Sequence, residues 1–537
     1  MPFWRFALLL NCTVGSPAAA SGDVFGIGPI ADSSSSEALS LLQGWLTECV
    51  LTHEECGKVE SRDDFDAVCE PDLPTRVIDV GGLELNALEV RLIESHGARG
   101  YYAALSHCWG PVALQPLRTT KSTFRDHLAG IKVSSLPQTF RDAVVVTRHM
   151  GLRYIWIDSL CIIQDDRQDW LNEAPRMGPL YSRARLVIAA SGARNSREGC
   201  FMDRNPPGPS LQVPYITEEG EQVGGVLLRA EQNRTSRSPS FGPLGKRAWV
   251  LQEWTLANRI IHFTKDGMMW SCQRLNGAVM CEDGSIERGN ATVRDTWDNI
   301  IESFTARDIT VLTDKLIAVQ GLADVMQNSR DDRYINGIWT AELPQQLFWI
   351  GNKTSRPFEL RPTPSWSWAS THGRCVSWTN RKPRWESIHS SCTIENDNEL
   401  KIVAKTRECT LKRLGPLVHD MVRKPPFSDA SVISIWDLPV FFYQTVVHLI
   451  LDKDTENTVG MAVLDDSNDL GKDARLCISS FLMHEASSSQ VVDGHVYYAL
   501  LLNPCSGNPS LFSRIGIGFI VNKAWVKSGD FQSLTVI

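Results

Sequence analysis

The chain has 537 residues, 43% hydrophobic and 22% charged, enough for two or three domains with sizeable cores and too apolar for a disordered tail. A net charge of -8, with no Lys/Arg-rich block, excludes a basic field for gripping nucleic-acid backbones. Fourteen cysteines, sparse and irregularly spaced, make no disulfide framework and point to a reducing compartment.

Residues 1–32 form a leader. Its start, "MPFWRFALLLNCTVGSPAAAS", pairs Arg5 with a short apolar stretch and the small residues Ala18 and Ala20, a weak likeness to a signal peptide. Asn11 and Thr13 interrupt the apolar run, which is too short to span a bilayer. The expectation is a cytoplasmic protein without a transmembrane segment.

A lead-in segment, 33–100, opens on "SSSSEALSLLQGWLTECVLTHEEC", a helix whose serines offer N-caps. Cys49, His53 and Cys56 fall at i, i+4 and i+7 on one face of it, with Cys69 farther on. Zinc would need four convergent deprotonated ligands, and this spacing is not one of the strong zinc patterns. The set reads as buried reduced cysteines and a satisfied histidine, with no metal expected.

Strand and helix signals alternate from 101 to 272. "YYAALSHC" has strand length, and "SSLPQTFRDAVVVTRHMG" has a serine cap, an early proline, helical apolar spacing and Gly151 as a stop. "RYIWIDSLCII" reads as one strand covered on both faces, interrupted by Asp158. "DWLNEAPRMGPLYSRA" is helical but made irregular by Pro175 and Pro179. "RLVIAAS" is the next strand. After a polar insertion, "KRAWVLQEWTLANR" is a helix and "IIHFT" a strand. The alternation predicts a mostly parallel α/β sheet flanked by helices, with ligands favouring the carboxyl ends of its strands.

Residues 273–375 read as a Trp-rich helical continuation. "RPTPSWSWAS", with Trp339 and Trp349, packs a core or interdomain seam more readily than it forms a carbohydrate platform. Residues 376–537 are β-rich, with runs such as "ELKIVAKT", "TVGMAVLD", "VYYALLLN" and "IGIGFIV", giving a mixed α+β C-terminal region.

Ser106, His107, Cys108, Trp109 and Gly110 follow the first core strand and read as a ligand-lining or structural turn. Adjacent residues of a strand face opposite ways, so Cys108 and His107 are poorly placed to exchange a proton as a nucleophilic pair. Asp158 needs a partner if buried: either it serves a site near a strand end, or it acts as a cap or pairs with Arg141 or Arg153.

The blocks "YAALSHCWG", "LPQTFRDAVVVTRHMGLRYIWIDSLCIIQDDRQDWLNEAPRM" and "RAWVLQEWTLANRIIHF" resemble, in order, the heterokaryon incompatibility (HET) domain of filamentous fungi. Downstream "DKLIAVQGLA", "YINGIW" and "PSWSWAS" look like segments that commonly follow it. His107 stands where the family often has an aromatic, and the two prolines near Met177 are a second departure. The resemblance implies a fungal protein of allorecognition and programmed cell death, with a protein partner or self-association. No nucleotide-binding P-loop or sensor repeat accompanies it.

A second resemblance runs to TIR domains, with their flavodoxin-like strand-helix order. "YAALSH" is similar to the first TIR strand, and "WVLQE" to the helix carrying the catalytic glutamate of NAD-cleaving members. That likeness implies NAD as substrate and Glu253 as the catalytic carboxylate. Trp249, four residues earlier on the same helical face, would pack on a flat ring beside Ser106, His107, Trp109, Gly110 and Asp158. The alternative is a salt bridge from Glu253 to Arg247 or Arg259 in a non-catalytic interaction module.

Overall fold

The computed structural model describes residues 8–12, 16–22, 24, 26–27, 30–57, 70–81, 88–204, 210–218, 220–230, 238–288, 295–377, 385–388, 391–416, 446–466, 474–483, 497–505, 507–520 and 522–537. The chain divides into two compact units, Met1–Arg294 with Ile317–Leu322, and Asp295–Leu316 with Ala323–Ile537.

The first unit is built on a ten-stranded sheet. In chain order its strands are β1 (Arg76–Asp79), β2 (Glu89–Glu94), β3 (Tyr102–Ser106), β4 (Ile131–Lys132), β5 (Tyr154–Trp156), β6 (Leu186–Ala189), β7 (Arg259–Thr264), β8 (Gly267–Cys272), β9 (Ala278–Cys281) and β10 (Ile286–Arg288). Across the sheet they run β10-β9-β8-β7-β6-β3-β5-β1-β2-β4. The contiguous set β5-β3-β6-β7 is parallel, and every other neighbour is antiparallel. The expected mostly parallel sheet is therefore mixed. Hairpin connections from β7 to β10 and the strands before residue 101 extend both edges in the antiparallel sense, which needs no crossover helix.

The main helices of this unit are α1 (Ser36–Thr52), α2 (Glu54–Gly57), α3 (Gln138–His149), α4 (Asp158–Cys161), α5 (Arg167–Glu173), α6 (Met177–Arg183) and α7 (Ala248–Leu256). Helix α8 (Lys315–Gln327) contributes Ile317–Leu322. Ser35 caps α1 by accepting from the Ala38 amide. Helix α3 departs from expectation: Pro137 occupies its N-cap, without a side-chain cap bond, because the serines before it belong to a 3-10 turn, Val133–Ser135. Pro175 falls in a 3-10 turn, Ala174–Arg176, between α5 and α6, as the loss of a backbone donor requires.

The single long strand read over "RYIWIDSLCII" is corrected. β5 stops at Trp156, and Asp158 begins α4. The continued apolarity after Trp156 reflects a buried helical turn, since Leu160 and Cys161 are as buried as the strand; a short apolar run does not distinguish the two by periodicity. Strands β3 and β6 are buried at every residue, as expected of strands covered on both faces. Their core also includes Phe140 and Val144 of α3, Leu42 and Trp45 of α1 and Trp254 of α7.

The second unit holds a nine-stranded sheet. Glu399–Pro416 pairs antiparallel with both Val446–Asp452 and Ala474–Met483, which closes the strand path on itself; one pair, Asn508–Ile520 with Asp530–Val536, is parallel. Trp339, Trp366 and Trp368 are buried in this unit, so they build core rather than an exposed platform. Cys69 lies outside the described residues.

Candidate functional site

The four parallel strands fix the site. Taken in chain order as first to fourth, β3, β5, β6 and β7 stand in the order second, first, third, fourth. The order reverses at the β3/β6 boundary, so connections leave in opposite directions there and a crevice opens beyond the carboxyl ends. Ser106 and Ala189, the last residues of β3 and β6, are register partners at that point.

Ser106 is fully buried and donates its hydroxyl to Glu253 Oε2 at 2.5 Å, while accepting from the Trp254 indole at 3.2 Å. Glu253 lies on α7, buried to 6% exposure. The Tyr181 hydroxyl donates to the Leu105 carbonyl at 3.1 Å and, beside Glu253, favours its ionised form. Burial pushes the Glu253 carboxyl up to about 7, partly offset by Ser106 and by the Arg247 charge. A carboxylic acid that exchanges its proton near neutral pH has the property required of a general acid or base.

Of the two arginines expected beside Glu253, Arg247 acts on it through its charge. Arg247 donates to the His107 carbonyl and Arg259 to the Cys56 carbonyl. Asp158 takes neither Arg141 nor Arg153, which turn to the Leu136 carbonyl and to Asp79. It accepts instead from the Trp109 indole at 2.7 Å and the Ser159 amide at 2.7 Å. His107 Nδ1 stands 3.7 Å from Asp158, but burial pushes the imidazole down to about 4, so the contact joins a neutral ring to a carboxylate. The same effect pushes the Cys108 thiol up to about 11. Both shifts oppose a thiolate-imidazolium pair.

The loop is held by Gly110, whose φ of +81° suits glycine. A Cβ there would stand 2.6 Å from Asn195 Cβ, so the turn closes only with a bare backbone. The predicted residues thus gather into two adjoining groups, Ser106 with Glu253 and His107, Trp109 with Asp158. Trp249, one turn before Glu253, is half-buried against the core. Tyr181, beside Glu253, and Trp254, the donor to Ser106, were missed; in sequence they carry only the helical apolar spacing that any core residue shows.

Fold and site define an α/β domain with a buried carboxylate-hydroxyl pair where the parallel strands reverse order. Residues 102–253, which start at β3 and end on Glu253, match the family model described as Heterokaryon incompatibility protein (HET). No curated protein and no solved structure matches the chain.

Proposed function

We propose that the protein is a cytoplasmic effector of fungal heterokaryon incompatibility, in which the HET domain drives programmed cell death after non-self recognition. We further propose that its core is TIR-like and cleaves NAD at the bond between nicotinamide and ribose. The observation that carries the chemistry is the Ser106–Glu253 pair at the carboxyl end of β3. The reversed strand order beside it supports the flavodoxin-like reading.

In that reaction the C–N glycosidic bond breaks and its electron pair leaves with nicotinamide. Glu253, in its ionised form, stabilises the oxocarbenium-like ribose, and water then adds to give ADP-ribose and a proton. Ser106, itself held by the Trp254 indole, orients the carboxylate. Among the described residues no helix is long and apolar enough to cross a membrane.

The burial of Ser106 and Glu253 favours a second reading, a non-catalytic module that self-associates or binds a partner protein. Purified protein is incubated with NAD, with and without crowding or induced oligomerisation, and nicotinamide release is followed. The catalytic reading expects release, reduced about 100-fold or more in Glu253→Gln, in line with loss of one charge-stabilising group. NAD that stays intact in every condition, with cell killing unchanged in Glu253→Gln, establishes the module instead.

A further inference from the structure

Cys49 lies in the last turn of α1, His53 is the C-cap residue of that helix, Cys56 sits in α2, and Cys272 ends β8. One ligand atom from each of the four lies within 4.8 Å of all the others. The helix stops at Thr52 rather than carrying the three residues on one continuous face. The Cys56 and Gly57 amides bond back to the His53 carbonyl at 3.1 and 3.2 Å, folding the chain so that Cys56 returns over Cys49. Cys272 arrives from the sheet, 219 positions from His53.

His53 Nδ1 is 3.5 Å from Cys272 Sγ and 4.0 Å from Cys56 Sγ. In a tetrahedral zinc centre with Zn–S of about 2.3 Å and Zn–N of about 2.0 Å, nitrogen and sulfur donors stand roughly 3.5 Å apart and two sulfurs roughly 3.8 Å. The Cys272 separation meets the first value, and the Cys56 separation needs a closure of about half an ångström. All three cysteines are buried and none is in a disulfide. Hydrophobic packing explains the burial of each thiol separately; it does not explain why three thiols and an imidazole nitrogen converge on one point. Beside them Arg259, 1% exposed, donates to the Cys56 carbonyl at 3.1 Å. A zinc ion with three thiolates and one neutral imidazole carries one net negative charge, and a buried guanidinium is a fitting counter-charge.

We infer that Cys49, His53, Cys56 and Cys272 bind one zinc ion tetrahedrally, through three thiolates and Nδ1, as a closed structural site that fastens the α1–α2 corner to the end of β8. Binding releases the three thiol protons to solvent, and four protein ligands leave no open position for substrate. A soft set of three sulfurs and one nitrogen selects zinc over magnesium or calcium.

The full chain, purified with neither chelator nor a polyhistidine tag, is analysed for metal by mass spectrometry, and its zinc K-edge absorption is recorded. One zinc per chain is expected, with three sulfur neighbours at about 2.3 Å and one nitrogen at about 2.0 Å. Cys272→Ser and Cys49→Ser reduce the zinc content to a trace, while Cys200→Ser, a buried cysteine outside the cluster, leaves it unchanged. The absorption spectrum needs only the wild-type chain, so it decides the matter even where a variant does not fold. Trace zinc in the wild-type protein, a disulfide among the three cysteines, or a zinc shell without sulfur overturns the assignment.

Discussion

At Glu253 the surroundings set both chemistry and stability. Its carboxyl is raised by burial from 4.5 to about 7, so the folded state holds a proton that the unfolded chain releases between those values. The stabilisation is fully present below pH 4.5 and is lost as pH rises through 7, roughly 3 kcal/mol in all. His107 works in the opposite sense: lowered from 6.5 to about 4, it contributes stability above pH 6.5 that disappears as pH falls through 4. Comparing variant with wild type at each pH removes the histidine contribution. Glu253→Gln cannot titrate, so its stability relative to wild type rises by roughly 3 kcal/mol between pH 4.5 and 7.5. Urea unfolding of the first unit at both pH values measures this; a pH-independent difference shows a carboxyl that titrates normally.

Between elements, the site depends on how closely the helices approach one another. Gly178 of α6 and Gly321 of α8 meet so tightly that a Cβ on either would stand 2.8 Å from the other's Cα. The Gly321 amide also donates to Gln252 Oε1, at 2.8 Å, on the helix that carries Glu253. Gly178→Ala or Gly321→Ala forces α6 and α8 apart and costs about 1 to 3 kcal/mol through overpacking, read as a lower melting temperature. An unchanged melting temperature in both variants would contradict the close packing. This contact leaves no trace in a sequence, where both glycines look like ordinary interruptions of a helix. Strand-helix alternation from Tyr102 to Thr264 was legible, because apolar runs of strand length and helical spacing are local signals. The end of β5 was not, since "WIDSLCII" buries its apolar residues equally well as a strand or as a helical turn. Glu253 stood out as a carboxylate between tryptophans; its partners Ser106 and Tyr181 are supplied only by the fold. Cys272 was invisible beside Cys49, His53 and Cys56 for the same reason, and the nearer Cys69 drew the eye instead.

On the scale of the whole molecule, the family match and the folding unit are not the same length. The match covers 102–253, yet the parallel set it opens is completed by β7, which begins at Arg259. Strand β1, paired with β5, and helix α1, whose Leu42 and Trp45 enter the same core, come before it. Cutting at 102 and 253 leaves β6 without its outer neighbour and uncovers an apolar strand edge, which invites pairing with another chain. It also removes the buried faces of Val77, Ile78, Ile261 and Phe263 from a single core. At about 1.5 to 3 kcal/mol for each buried large apolar side chain, four such losses rival the whole stability of a domain. A fragment of residues 102–253 is therefore expected to be insoluble or to melt without cooperativity, whereas residues 1–322, which contain the first unit entire, melt in a single transition. Circular dichroism and calorimetry of the two fragments give the answer. A soluble 102–253 fragment with a sharp calorimetric transition would mean that the matched segment folds alone and that its flanking strands are additions to it.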